Sequence, residues 1–284
     1  MVQGEYAASE SGQGDFGVQV VALSEGKFDA YILEGGLPGV GWDKTKKRTL
    51  IHGATADART AFEGEGYSAV IADGKLELKS GDKTLATLTR IERQSTTMGA
   101  KPPKGAVILF DGTDVDAWKK GRLSADKFLM EGATSIQTFG DLSLHIEFRL
   151  PYQPTERGQR RGNSGIYVQG RYETQMLDSF GLEGESNEAG GIYKVKAPDV
   201  NMCFPPLSWQ TYDIDFEGAR FKDGEKVKNA IMSVRHNGVL VQDKVECPAA
   251  TRSSKGGQEA EPGPIFLQDH GNPIRYRNIW VAEK

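Results

Sequence analysis

Along most of the chain, apolar and polar residues alternate with a period of two. In "GIYVQGRYETQM" (165–176), Ile166, Val168, Gly170, Tyr172, Thr174 and Met176 fall on one side of an extended chain. Tyr167, Gln169, Arg171, Glu173 and Gln175 fall on the other. In "DLSLHIEFRL" (141–150), Leu142, Leu144, Ile146, Phe148 and Leu150 oppose Ser143, His145, Glu147 and Arg149. "TYDIDFE" (211–217) alternates in the same way around Tyr212, Ile214 and Phe216. Successive side chains of a strand point to opposite faces, so each segment reads as a strand with one buried face. "IMSVRHNGVLVQD" (231–243) reads as a hairpin closed by Asn237-Gly238. "AVILF" (106–110), "GPIFLQDHG" (263–271) and "IRYRNIWVAEK" (274–284) supply further strands.

Residues 17–92 hold about five shorter candidates, at 17–23, 27–33, 48–55, 67–79 (itself a hairpin) and 84–93. Gly-, Asn- and Asp-rich turns separate them, and helical periodicity is nearly absent. The pattern predicts an all-β protein. Residues 105–284 should form a two-sheet antiparallel sandwich and residues 1–94 a small β domain of unassigned role. The segment 95–104, with two prolines and small residues, should link them.

Composition narrows the function classes. At 284 residues the chain is long enough to bury a substantial core. A net charge of −4 argues against a broad nucleic-acid-binding surface, and no apolar run reaches the ~18–20 residues of a membrane-spanning helix. The N-terminal residues carry no apolar signal core, which fits a cytosolic chain and a mature exported one equally. Cys203 and Cys247 have no metal-site spacing, and either a disulfide or two free thiols is open.

One strand carries unusual chemistry. Glu173, Gln175 and Asp178 are spaced E-x-Q-x-x-D. A β-bulge near Met176–Leu177 would bring Asp178 to the side of the other two. A jelly-roll family of β-glucanases uses the similar spacing E-x-D-x-x-E for its carboxylate pair, and here the middle and last positions differ.

The segments "LFDGTDVDAW", "NSGIYVQGRYETQMLDSFG", "GGIYKVKAP", "RHNGVLVQD" and "IFLQDHGNPIRYRNIWV" together resemble the 3-keto-disaccharide hydrolase domain family over roughly residues 105–284. The resemblance implies a concanavalin A-like jelly-roll sandwich, a periplasmic or extracellular location, and cleavage of glycosides already oxidised to a 3-ketone. That chemistry needs a base for the acidified C2 proton, a donor for the enolate oxygen and an acid for the leaving group. Glu173 is the first candidate base and His270 the second. Asp178 is a candidate acid, or an orienting partner of His270. Arg171, Gln175, Gln268, Asn163, Tyr193 and Lys194 are candidate substrate-binding residues. No metal ligand set is evident, no cofactor is expected, and the expected partner is a carbohydrate substrate.

Plainer readings stay open beside these. Glu173 and Arg171 could form a solvated ion pair, His270 could be a turn residue, and Asn163 could belong to the turn entering the strand. The loop 152–162 reads as solvated, Trp209 as core, and His145, Glu147 and Arg149 as an outer convex surface. The functional alternatives to an enzyme are a lectin-like carbohydrate-binding module and an adhesion protein.

Overall fold

The computed structural model describes residues 2–252, 254–255 and 257–284. They form two compact units: residues 2–93 with the short segments 153–157 and 180–183, and the remaining described residues from residue 94.

The first unit is a closed antiparallel barrel of eight strands: Gly4–Ala7, Gln13–Ala22, Lys27–Gly36, Arg48–Ala56, Arg59–Gly64, Tyr67–Ala72, Lys75–Ser80 and Lys83–Ile91. Each strand pairs with the next, and the first closes on the last through Glu5↔Ile91 and Ala7↔Thr89. Closure leaves no free sheet edge. An eight-stranded barrel is just wide enough to be filled by side chains. Val18, Val20, Ile32, Phe62, Leu76, Leu78 and Leu88 do so here, all almost fully buried. The sequence pattern missed the strands Gly4–Ala7 and Arg59–Gly64. One is four residues long, and the other buries only Thr60 and Phe62 at alternate positions. The small β domain is therefore a complete barrel.

The second unit is all antiparallel. A five-stranded sheet runs in the order Trp118–Lys119, Thr134–Phe139, Gly263–Leu267, Ser164–Val168, Tyr172–Met176. A seven-stranded sheet runs Leu129–Met130, Arg275–Glu283, Leu142–Arg149, Trp209–Glu217, Ala230–His236, Val239–Cys247, with Val107–Phe110 also on Arg275–Glu283. The expected alternation holds in the central strands. Leu142, Leu144, Ile146 and Phe148 are buried and pair with the strand carrying Tyr212, Ile214 and Phe216. Asn237 and Gly238 both adopt positive φ (52° and 83°) in the turn between His236 and Val239, as the hairpin signal requires. Cys203 and Cys247 are free buried thiols, so the disulfide alternative is closed.

Two sequence expectations change. His145 and Glu147 do not form a solvated outer surface; both are buried. The segment expected as a linker lies across them. Thr97 Oγ1 donates to Asp213 (2.6 Å), the Gly99 amide donates to Glu147 (2.7 Å), and the Ala100 carbonyl accepts from Asn278 and Trp280 (both 3.1 Å). Burial works against charge on His145, but Asp213 and Glu147 outweigh it and hold its pKa above the usual value. Burial likewise opposes the Glu147 carboxylate, yet hydrogen bonds from His145, Asn278, Arg277 and the Gly99 amide bring its pKa down to about 2. Residues 95–100 are thus part of the sandwich surface.

Candidate functional site

The stretch 165–176 is a hairpin and not one continuous strand. Gln169 and Gly170 have φ of 54° and 64°, and the Arg171 amide donates to the Val168 carbonyl at 3.1 Å. Two successive positive-φ residues make a turn whose twist suits a hairpin. The alternation survives the turn because Tyr167 pairs with Glu173, and Gly165 with Gln175. Directly paired residues share a face of the sheet. The opposite face of the hairpin packs into the sandwich. The Tyr172 ring lies 5.2 Å from Phe216, and Thr174 Oγ1 lies 3.4 Å from the Met232 sulfur. Tyr167, Glu173 and Gln175 therefore face away from the sandwich core.

The free side of the Tyr172–Met176 strand is covered by residues 190–193. Tyr193 N donates to the Glu173 carbonyl (3.0 Å), Gln175 N to Gly191 (2.9 Å), and Gly190 N to Gln175 (3.1 Å). On the same edge the Thr251 hydroxyl accepts from the Glu173 amide at 3.1 Å. Both backbone polar groups of Glu173 are thus paired.

Its carboxyl occupies the space above a glycine. A methyl group at Gly165 would sit 2.1 Å from Glu173 Oε1 and 2.9 Å from its Cδ. The Tyr167 hydroxyl sits beside this carboxyl, where it lowers the carboxyl's pKa. Its one proton can turn to the carboxyl or to the Arg252 carbonyl (3.3 Å), and its oxygen accepts from Gln268 Nε2 (3.2 Å). With its amide turned so that the nitrogen faces the carboxyl, Gln175 Nε2 donates to Glu173 Oε1 (3.0 Å) and to the Ser164 carbonyl (2.9 Å). Asn163 Nδ2 donates to the Gln159 carbonyl at 2.7 Å. No cation opposes the carboxyl among these partners. Burial pushes the Glu173 pKa up to about 7, and the Tyr167 hydrogen bond pulls only partly against it. Burial and the neighbouring Glu173 in turn hold the Tyr167 phenol far above its usual range, so it stays protonated. The arrangement is a carboxyl poised near neutrality beside a neutral hydroxyl donor.

An alanine at Gly165 should overpack this spot. We expect Gly165→Ala to destabilise the protein by ~1–3 kcal/mol, as inserted methyl groups in packed interiors do. Thermal unfolding measures this. An alanine variant with wild-type stability would show that the carboxyl has another place to go.

Of the residues singled out in the sequence, the structure gathers Glu173, Gln175 and Gln268 around Tyr167, with the Tyr193 backbone on the strand edge. Lys194, at φ 60°, donates its amide to the Ser186 carbonyl (3.0 Å) and sits in the turn beyond Tyr193. Three other candidates go elsewhere. Arg171 is 1% exposed but makes no solvated pair with Glu173. Its guanidinium donates to Gln169 Oε1 (3.0 Å) and to the carbonyls of Gly257 (3.1 Å) and Glu261 (2.7 Å). It ties residues 257 and 261 to the hairpin turn. The hairpin pairing shows no register shift, so the expected bulge is absent and Asp178 lies in the coil after Met176. There Arg161 Nε donates to Asp178 Oδ2 at 2.6 Å, with both side chains nearly inaccessible. His270 is exposed, and its backbone carbonyl accepts from Asn272 at 3.1 Å. Trp209 is partly exposed beneath the Arg277 guanidinium (4.1 Å to the ring centroid).

Sequence reasoning placed Tyr167 on the polar face but gave it no role. A tyrosine directly opposite a candidate base was the available signal. Gln159, from the loop expected to be merely solvated, was also missed. Among the described residues, no three His, Cys, Asp or Glu side chains converge as a metal site would require, and no helix is long and apolar enough to cross a membrane.

A sequence model of the 3-keto-alpha-glucoside-1,2-lyase-like domain matches residues 105–282. No curated protein matches the chain. Two solved structures of putative glycosyl hydrolases from Parabacteroides distasonis are similar. One is 34% identical with a TM-score of 0.58, covering 64% of this chain and 85% of that one. The other is 18% identical with a TM-score of 0.46, covering 64% and 94%.

Proposed function

The chain belongs to the 3-keto-alpha-glucoside-1,2-lyase-like domain family, and from that premise we propose that it cleaves 3-keto-glycosides by eliminating the C1 substituent. Glu173 is the base. It removes the C2 proton made acidic by the C3 ketone. The C–H electrons form an enolate, which collapses to a C1=C2 enone as the C1–O bond breaks. The leaving oxygen takes up a proton, and water can then add to the enone. Tyr167 is the donor in this scheme, to the enolate oxygen or the departing one, and Gln268 holds its hydroxyl. Gln175 holds the Glu173 carboxyl. Asp178, paired with Arg161, serves the structure. The export implied by the family resemblance belongs to the same proposal.

The observation that carries the reading is the buried Glu173 with its pKa pushed up to about 7. A general base works best when its pKa lies near the working pH. A lectin-like module would have no use for a carboxyl so poised, and a direct displacement would call for a second carboxylate placed to work with it. Glu173 is 2% exposed, so catalysis requires local opening above its carboxyl to admit the substrate.

The test is leaving-group release from matched 3-keto and unoxidised glycosides. Only the ketone should be cleaved. Equal rates on both would sink the mechanism, and binding of both without turnover would return the protein to the lectin class. The pH dependence follows from the same pKa. Turnover should rise with pH and level off above about 7, as Glu173 loses its proton. The Tyr167 hydrogen bond lowers the pKa of Glu173, so Tyr167→Phe should move the inflection to higher pH. A profile that falls with pH, or one unmoved by Tyr167→Phe, contradicts the assignment.

A further inference from the structure

A cavity of about 400 Å³ opens in the sandwich unit, lined by Lys120, Arg122, Gly132, Lys255, Phe266 and Asp269. It shares a sheet face with the proposed base. Glu173 pairs with Tyr167, and Tyr167 pairs in turn with Phe266 of the next strand. The Tyr167 and Phe266 rings are 5.3 Å apart. Adjacent strands are spaced ~4.8 Å, so Phe266 lies about 10 Å across the sheet from Glu173. A disaccharide seated over Glu173 spans that distance.

The cavity's charge runs against that of the whole protein, whose net charge is −4. Arg122 and Arg275 share one carboxylate, Glu131, at 3.5 and 3.2 Å. Lys255 Nζ lies 4.5 Å from the Phe266 ring centroid, and its backbone amide is tied to the Gly170 carbonyl at 2.8 Å. Asp269 Oδ1 accepts from the Gly271 amide at 2.9 Å, which occupies one of its oxygens within its own turn. Three cations, Lys120, Arg122 and Lys255, thus line the cavity beside one carboxylate, Asp269. Gly132, at φ 86°, leaves open the space between Asp269 and Arg122. Phe266, 5% exposed and with the Lys255 ammonium over its ring, closes the floor, and the rim is cationic.

We propose that this cavity is a subsite for an anionic substituent on the sugar joined to the one at Glu173, so that the substrates are acidic glycosides. The assignment rests on the Proposed function only for where the first sugar sits. Carboxylate, sulfate and phosphate share the chemistry that three such cations recognise.

Equilibrium binding of unreactive sugars tests it without turnover. The pairs are methyl glucuronide against methyl glucoside, and glucose 6-phosphate against glucose, each at low and high salt. At least one acidic sugar should bind ten-fold or more tightly than its neutral twin. Which pair shows the preference separates a carboxylate from a tetrahedral anion. The preference should shrink with salt, because exposed charges are screened. It should disappear in the double variant Lys120→Gln/Lys255→Gln. Both lysines are exposed, and an unchanged circular dichroism spectrum checks the fold. A separate Arg122→Gln variant should weaken the preference on its own. Equal affinity for acidic and neutral sugars, or a preference that survives the double variant, overturns the subsite. Cleavage of a neutral 3-keto-glycoside with no acidic preference would leave the proposed reaction standing and remove the subsite alone. An acidic preference without cleavage of any ketone would do the reverse.

Discussion

Glu173→Gln should reduce leaving-group release from a 3-keto-glycoside by ~10²–10⁴-fold, the contribution of one well-placed general base, and leave substrate binding in place. The substitution keeps the shape and removes the basicity. The Gln175 amide at 3.0 Å and the Tyr167 hydroxyl can still hold the new side chain. A loss of affinity with unchanged turnover would mean that the carboxyl only binds, and unimpaired turnover would remove Glu173 from the mechanism.

The same substitution has a signature in stability. Burial raises the Glu173 pKa from 4.5 to about 7 in the folded protein. The folded state therefore holds the proton more tightly than the unfolded chain. The favourable contribution is complete below 4.5 and declines as pH rises through the window up to about 7. Above that window the buried carboxylate costs ~3 kcal/mol, at 1.36 kcal/mol per pH unit. The amide that replaces the carboxyl has no proton to lose. Relative to wild type, Glu173→Gln should gain ~3 kcal/mol of stability between pH 4 and pH 8. Denaturant titrations at the two pH values measure it, and a difference independent of pH would show that the carboxyl is not held neutral by burial.

The second large effect is structural. Arg161→Met should destabilise the sandwich by ~3–5 kcal/mol, because removing one member of a buried pair leaves the other charge uncompensated. The Arg161 and Asp178 side chains are 5% and 0% exposed, and the Arg161 carbonyl also accepts from the Asp178 amide at 3.1 Å. For a domain of this size the loss corresponds to a fall in melting temperature of about 6–20 °C. The double variant Arg161→Met/Asp178→Leu should recover much of it, since replacing a whole buried pair by apolar groups is often near neutral. Asp178→Asn, assayed below its lowered melting temperature, should keep kcat within a few-fold. A collapse of kcat in the folded variant would give Asp178 the acid role suggested by its spacing from Glu173.

Alternation made much of this protein legible from its sequence. The central strand Leu142–Arg149, its neighbour Trp209–Glu217, the Asn237-Gly238 turn and the polar face holding Tyr167, Glu173 and Gln175 all follow from side-chain period and turn chemistry. These are local properties of the backbone. A strand must alternate, and two adjacent positive-φ residues must turn. The family resemblance is likewise carried by local motifs.

Contacts between residues distant in sequence were beyond that reach. Closure of the barrel depends on Glu5 meeting Ile91. Arg171 looked like a partner for Glu173 on spacing alone, yet carbonyls some ninety residues away, at Gly257 and Glu261, take its guanidinium. Asp178 was spaced like a catalytic acid, but Arg161 returns from the preceding loop to claim it. The solvation of Glu173 is also a tertiary quantity. Its pKa depends on what covers it: Gly165 beneath, Tyr167 and Gln175 beside it, and the backbone of residues 251–252 behind its strand and its tyrosine. Sequence could place a carboxylate on the right face. Only the packing of segments from across the chain could desolvate it, and desolvation is what turns an ordinary glutamate into a base suited to neutral pH.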